Sequence, residues 1–184
     1  MSLVNSTMMP LGTTAPDFTL PDTLSEKTIS LKELKSDTAT VVFFTCNHCP
    51  FVKHIHAKLL DIITEYQDKG IAFVAISAND PGTVAEDAPD KMRQLALDND
   101  YTFPYCFDES QQIAKAYFAT CTPDFYLFDE KLQCVYRGRF DDSTPGNDTE
   151  VTGKDLCEAM NSVLAHQPIS QEQLPSMGCS IKWR

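Results

Sequence analysis

Thr40-Val41-Val42-Phe43-Phe44-Thr45-Cys46-Asn47-His48-Cys49-Pro50-Phe51-Val52 is the stretch on which the fold turns. Its first half is an unbroken β-branched and aromatic run, the mark of a central strand buried on both faces. From Phe51 the period changes. Phe51, Val52, Ile55, Leu59, Ile62, Ile63 and Tyr66 recur at three- and four-residue spacing, which predicts an amphipathic helix stopped by Gly70. Two cysteines, three residues apart, therefore stand where a buried strand gives way to a helix.

Working outward, residues 71–77 read as another buried strand, closed by the turn Asn79-Asp80-Pro81-Gly82. Residues 89–99 predict a helix, 103–107 an extended segment and 111–117 a short helix. Residues 125–128 and 134–138 flank Asp129-Glu130-Lys131 as a β-hairpin, and 154–165 form the last helix before Pro168. Upstream, 15–21 and 28–31 predict short extended pieces, with one helical turn at 32–35. The order β–α–β–α–β–α–β–β–α predicts an α/β fold, a central mixed β-sheet flanked by helices on both faces. Residues 1–14 are expected to be a loose leader, 15–166 the domain, and 167–184 an irregular tail docked through Ile181 and Trp183.

A chain of 184 residues that is 42% hydrophobic can build one core without disulfide staples. A net charge of −11, with 15 basic residues scattered among 26 acidic ones, argues against nucleic acid as a partner. The sequence lacks a run of about 18 apolar residues, so no membrane span is expected. The first sixteen residues lack both the basic and the apolar part of a secretory signal. Seven cysteines, an odd number, do not read as a secreted disulfide framework. Cys106 and Cys134 are expected to be buried thiols in apolar strands. The expected compartment is reducing and cytoplasmic, and the chain a monomer or a homodimer.

Chemistry concentrates at Cys46 and Cys49. The first turn of a helix leaves N–H groups unpaired and carries the positive end of the macrodipole. A thiolate placed there is stabilised, so an exposed Cys46 is expected to ionise below the usual value of about 8.5. Three-residue spacing brings Cys49 within disulfide reach. His48, as imidazolium, is expected to stabilise the Cys46 thiolate further and so make the disulfide more oxidising than a Gly-Pro dipeptide would. A zinc or copper site on Cys46, Cys49 and His48 is the competing reading, although a structural zinc takes four ligands and no second Cys-x-x-Cys exists. His54 and His56 are expected to be exposed helix residues. Arg137, Arg139, Asp141 and Asp142 are expected to form a solvated charged cluster.

Three motifs in order carry a resemblance: Ala15-Pro16-Asp17-Phe18-x-Leu20, the strand running into Cys46-x-x-Cys49-Pro50, and Thr122-Pro123-x-Phe125-x-Leu127-x-Asp129. Together they resemble the redoxin (AhpC/TSA) branch of the thioredoxin superfamily, specifically a peroxiredoxin-like subgroup with a Cys-x-x-Cys motif. The resemblance implies a thioredoxin-like fold with a redoxin N-terminal extension. It implies that Pro123 is a cis-proline facing the disulfide, with the Thr122 backbone aligned to pair with a substrate peptide. It also implies a thiol–disulfide oxidoreductase without a cofactor or bound metal, acting on protein or small-molecule disulfides with a thiol reductant. A thiol peroxidase with Cys49 as the peroxide-reacting thiol is the alternative. Peroxiredoxins place a Thr three residues before that thiol, where this chain has Cys46 before Cys49 and Phe43 before Cys46. Thioredoxins keep a buried acid six residues before the first cysteine, where this chain has Thr40. Cys121 and Cys179 are candidate additional redox thiols.

Overall fold

Alternation along the buried run sends Val41 and Phe43 to one face of a sheet and Val42 and Phe44 to the other, so both faces need cover. The computed structural model describes residues 3–184 and shows how that cover is built. In chain order the first elements are β1 (Leu3–Asn5), β2 (Thr19–Pro21), β3 (Thr28–Ser30), α1 (Leu31–Leu34), β4 (Ala39–Phe44) and α2 (Pro50–Gln67). There follow β5 (Ile71–Ser77), α3 (Pro89–Asp98), β6 (Tyr105–Phe107), α4 (Gln112–Ala116) and β7 (Cys121–Thr122). Last come β8 (Asp124–Asp129), β9 (Cys134–Gly138), α5 (Lys154–Leu164) and β10 (Met177–Ser180).

The central sheet has the order β6-β5-β4-β8-β9. β4, β5 and β6 run parallel, while β8 is antiparallel to both β4 and β9, so the sheet is mixed and β4 lies at its middle. On one face Val41, Phe43, Phe73 and Leu127 pack against Ile55, Leu59 and Ile63 of α2, Met92 of α3 and Leu156 of α5. On the other, Val42, Phe44, Val74 and Tyr126 pack against Leu31 of α1, Ala114 of α4, and Met9, Phe18 and Leu20 from the N-terminal segment. A strand sandwiched this way tolerates apolar residues at every position, which is why the run is unbroken.

Helix α2 begins at Pro50 because a proline at the first helical position loses no hydrogen bond and already has helical φ. It closes through Gly70, whose φ of +89° lets its N–H reach the Gln67 carbonyl at 2.9 Å.

Two terminal expectations change. Leu3–Asn5 is a strand rather than a loose leader, and Met9 is fully buried. The tail is not irregular throughout: β10 lies between β1 and β7 in a second, antiparallel sheet. Ile181 is buried against the core, whereas Trp183 stays partly exposed beneath the Lys115 ammonium. Short polar-flanked strands that pair only with one another carry little hydrophobic periodicity, and so leave a weak local signal. Among the described residues, no helix is long and apolar enough to cross a membrane.

Candidate active site

The Thr45 N–H continues the sheet by donating to the Ile76 carbonyl at 2.9 Å, and Cys46 leaves the sheet immediately after it. Cys49 is the N-cap residue of α2. Facing them is the end of β7, where the Thr122–Pro123 peptide bond is cis. The Thr122 hydroxyl lies 3.2 Å from Cys46 Sγ, and the Thr122 carbonyl oxygen 3.3 Å from Cys49 Sγ. Strand–helix geometry and the β7 corner thus bring Cys46, Cys49, Thr122 and Pro123 together from two distant segments. Both cysteines are thiols.

Asp87 organises the loop between the two cysteines. It is fully buried in a 3-10 turn, Ala85–Asp87, that precedes α3. Its Oδ1 accepts the backbone N–H groups of Asn47 at 2.8 Å and His48 at 3.2 Å. Its Oδ2 accepts the Asn79 amide at 2.7 Å and faces His48 Nδ1 at 2.6 Å, so the imidazole donates through Nδ1. The Tyr105 hydroxyl adds a bond to Asn47 Oδ1 at 3.0 Å. Sequence reasoning missed Asp87: an acid two residues before a helix-starting proline reads as an ordinary N-terminal charge. Nothing in its neighbourhood points across the sheet.

The electrostatics correct two expectations. Cys46 is not exposed, with only 1% of its surface reachable, and its thiol is pushed up rather than down. The largest cause is a hydrogen bond with Cys49, then burial, then the charge of Asp87. Cys49 is the sulfur held low, at about 4, chiefly because the Cys46 thiol hydrogen-bonds to it. The contact with Cys179 and the first-turn N–H of Val52 add to this against the cost of burial. Both directions follow from one hydrogen bond between the two sulfurs, and Cys49 Sγ is also placed to donate to the Thr122 carbonyl oxygen. His48 does not hydrogen-bond to either sulfur; its Nδ1 is engaged by Asp87, and its Nε2 is buried without a partner among the described residues.

The remaining candidates separate clearly. Cys121 is fully buried and its thiol is pushed up by burial. Cys179 packs with Cys46, Cys49 and Val52. Cys106 and Cys134 are buried within strands. His54 and His56 are half-buried rather than exposed, bonding Ser143 Oγ at 2.7 Å and the Tyr101 hydroxyl at 2.8 Å.

The expected solvated cluster is dismantled. Arg137 donates to the Met9 carbonyl, Arg139 pairs with Asp155 at 2.6 Å, and only Asp142 is exposed. Asp141 is buried and accepts the Thr152 and Gly153 N–H groups at 2.7 and 2.6 Å, holding the entry to α5.

Cys46, His48 and Asp87 bring one ligand atom each within 4.8 Å of one another. Donors already occupy both oxygens of Asp87, and these three residues fall one ligand short of a structural zinc site.

Asp124, next to Pro123, is a buried acid whose carboxyl is raised to about 7 by burial, against the opposing bond from the Tyr126 hydroxyl at 2.7 Å. A carboxyl raised in the folded state stabilises fully below its unfolded value and loses that contribution as pH rises through the folded one. Its contribution therefore fades between 3.8 and about 7. Urea titrations of Asp124→Asn are expected to lose this slope, and the variant to gain on the order of 4 kcal/mol relative to wild type on going from acid to neutral pH. Parallel pH profiles for the two proteins would contradict this.

Residues 11–137 match the AhpC/TSA family. The chain is 48% identical to an uncharacterized conserved protein from Geobacillus kaustophilus, with a TM-score of 0.98 over 100% of this chain and 97% of that one. It is 42% identical to a hypothetical protein from Sinorhizobium meliloti 1021, with a TM-score of 0.94 over 98% of each. A thioredoxin domain of a thiol-disulfide oxidoreductase from Bacteroides vulgatus shares the fold at 16% identity, with a TM-score of 0.64 over 84% of this chain and 100% of that domain. No curated protein matches.

Proposed function

The chain belongs to the AhpC/TSA family, of thioredoxin-like fold, and on that premise we propose that it is a thiol–disulfide oxidoreductase working through Cys46 and Cys49. The observation that carries the reading is the pair of thiols hydrogen-bonded to each other at the start of α2, both held against Thr122.

In this reading Cys46 attacks one sulfur of a substrate disulfide. Its proton passes along the existing hydrogen bond to Cys49, and the first substrate thiolate leaves. That thiolate takes the proton from Cys49. The Cys49 thiolate then attacks Cys46 in the mixed disulfide, releasing the second substrate thiolate and closing Cys46–Cys49. Each turn moves two electrons to substrate, and an external dithiol restores them. With Thr40 where an acid would stand, Cys49 is the group that its hydrogen bond to Cys46 places to take that proton as the new sulfur–sulfur bond forms.

His48 and Asp87 act as positioning residues that hold the Asn47–His48 peptide. A cleft of about 280 Å³, bordered by Phe51, Pro123 and Met177 and not by the sulfurs themselves, offers a small disulfide a mixed polar and apolar seat. The reducing, cytoplasmic setting is part of the same proposal.

The test is a pair of assays on the purified chain. With dithiothreitol as reductant, it is expected to accelerate reduction of hydroxyethyl disulfide. It is expected to consume hydrogen peroxide no faster than a free thiol. The reverse pattern would assign the peroxidase reading, with Cys49 as the reacting thiol.

A further inference from the structure

β10 occupies the edge of β7 in antiparallel register, with Cys179 directly opposite Thr122 and Ser180 opposite Cys121. Thr122 is also the residue that contacts both site sulfurs. The chain's own residue 179 therefore occupies the backbone edge of the residue that holds both site sulfurs. Its side chain hydrogen-bonds with that of Cys49 and packs in the same cluster as Cys46 and Val52.

The strand is not there by accident of a loose tail. On its N-terminal side Ser6 and Ser176 exchange two bonds, Ser6 N to Ser176 O at 2.8 Å and Ser176 N to Ser6 Oγ at 2.9 Å. On its C-terminal side Ile181 N donates to Thr120 O at 2.9 Å and Lys182 N to Asn79 Oδ1 at 2.8 Å. Asn79 in turn bonds Asp87, so the tail and the Cys46–Cys49 loop are tied to one frame. Gly178 lies flat on the Thr122 peptide: a Cβ there would come within 2.0 Å of the Thr122 carbonyl oxygen.

We infer that Cys179 is a third redox thiol of this centre, and that the oxidised chain passes its disulfide from Cys46–Cys49 to Cys49–Cys179. The inference rests on the exchange reading above, which supplies the oxidised centre. In the step, the Cys179 thiolate attacks Cys49 Sγ. The Cys46–Cys49 bond breaks, the Cys49–Cys179 bond forms, and Cys46 leaves as a thiolate that takes up the proton Cys179 gave up. The electron count of the protein is unchanged. Cys46, relieved of its partner, is again available to a second disulfide or a reductant. Cys49 is the hub because its sulfur hydrogen-bonds with both Cys46 and Cys179.

The experiment oxidises the reduced full-length chain with excess hydroxyethyl disulfide, quenches in acid, blocks remaining thiols with N-ethylmaleimide and maps linked peptides by mass spectrometry. Wild type is expected to yield a Cys49–Cys179 peptide together with Cys46–Cys49. Cys46→Ser is expected to yield Cys49–Cys179 as the linkage within the site, and Cys179→Ser only Cys46–Cys49. Gly178→Ala, which lifts β10 from Thr122, is expected to lose the Cys49–Cys179 peptide and keep Cys46–Cys49. Maleimide on Cys179 in both wild type and Cys46→Ser, with Cys46–Cys49 formed normally in wild type, would overturn the inference. Failure of Cys46–Cys49 to form in Cys179→Ser would instead overturn the exchange reading on which it rests.

Discussion

Cys46→Ser protein is expected to reduce hydroxyethyl disulfide no faster than dithiothreitol alone. A serine hydroxyl does not ionise to a nucleophile in this range, and the pair that remains, Cys49 and Cys179, is oxidised by excess disulfide but lacks the sulfur that makes the first attack in turnover. Cys49→Ser removes a different function. Cys46 keeps its place beside the Thr122 hydroxyl but loses both the base that takes its proton and the sulfur that resolves the mixed disulfide. Its first attack is expected to slow by about 10²–10⁴, and the product to accumulate as a stable mixed disulfide visible by intact mass.

A second readout separates the hydrogen bond between the sulfurs from mere loss of a cysteine. In wild type Cys49 is held near 4 chiefly by the Cys46 thiol, so the ultraviolet absorbance of a thiolate is expected to persist in the folded chain at mildly acidic pH. In Cys46→Ala, which has no donor, that absorbance is expected to be lost. Undiminished turnover by Cys46→Ser would break the assignment of roles.

Asp87→Asn is expected to be the most damaging single-atom change to the fold near the site. The carboxyl group accepts on both oxygens from the Asn47 and His48 N–H groups, the Asn79 amide and the His48 ring. An asparagine supplies one acceptor oxygen and turns an NH₂ group toward donors in a fully buried position. Each buried donor left unpaired costs about 1–3 kcal/mol, so a loss of about 3–5 kcal/mol is expected, lowering Tm by about 10 °C. Disulfide reduction is expected to fall with it, because the peptide that sets the Cys46–Cys49 spacing is released. Asn79→Ala, which removes one donor to the cluster and one tie to the tail, is expected to cost less than Asp87→Asn. A loss below about 1 kcal/mol for Asp87→Asn in thermal unfolding would show that the loop holds its shape without the carboxyl.

These two results weigh differently on what was legible beforehand. The cysteine variants probe residues that stand in one quoted stretch; Asp87 was invisible there. Its 3-10 turn reaches the Cys46–Cys49 loop only because parallel pairing of β4 with β5 places their C-terminal ends side by side. The register Phe44 opposite Ile76 makes Cys46 and the residues after Ser77 neighbours. A long-range contact of this kind has no period in the chain.

Local physics determined much from the sequence alone. Alternation with period 2 and recurrence with period 3.6 are consequences of backbone geometry, so the buried strand, the helix after it and the Cys46–Cys49 junction between them were readable without coordinates. The hairpin of β8 and β9 was readable for the same reason. Tertiary structure alone decided which sulfur is held low and which is pushed up, what His48 faces and where Cys179 lies. Charge on a buried sulfur depends on donors and acids brought from across the fold: Thr122, Asp87 and Cys179 all reach the pair by strand pairing rather than by proximity along the chain. Burial and hydrogen bonding are properties of packed neighbours, and only folding chooses the neighbours.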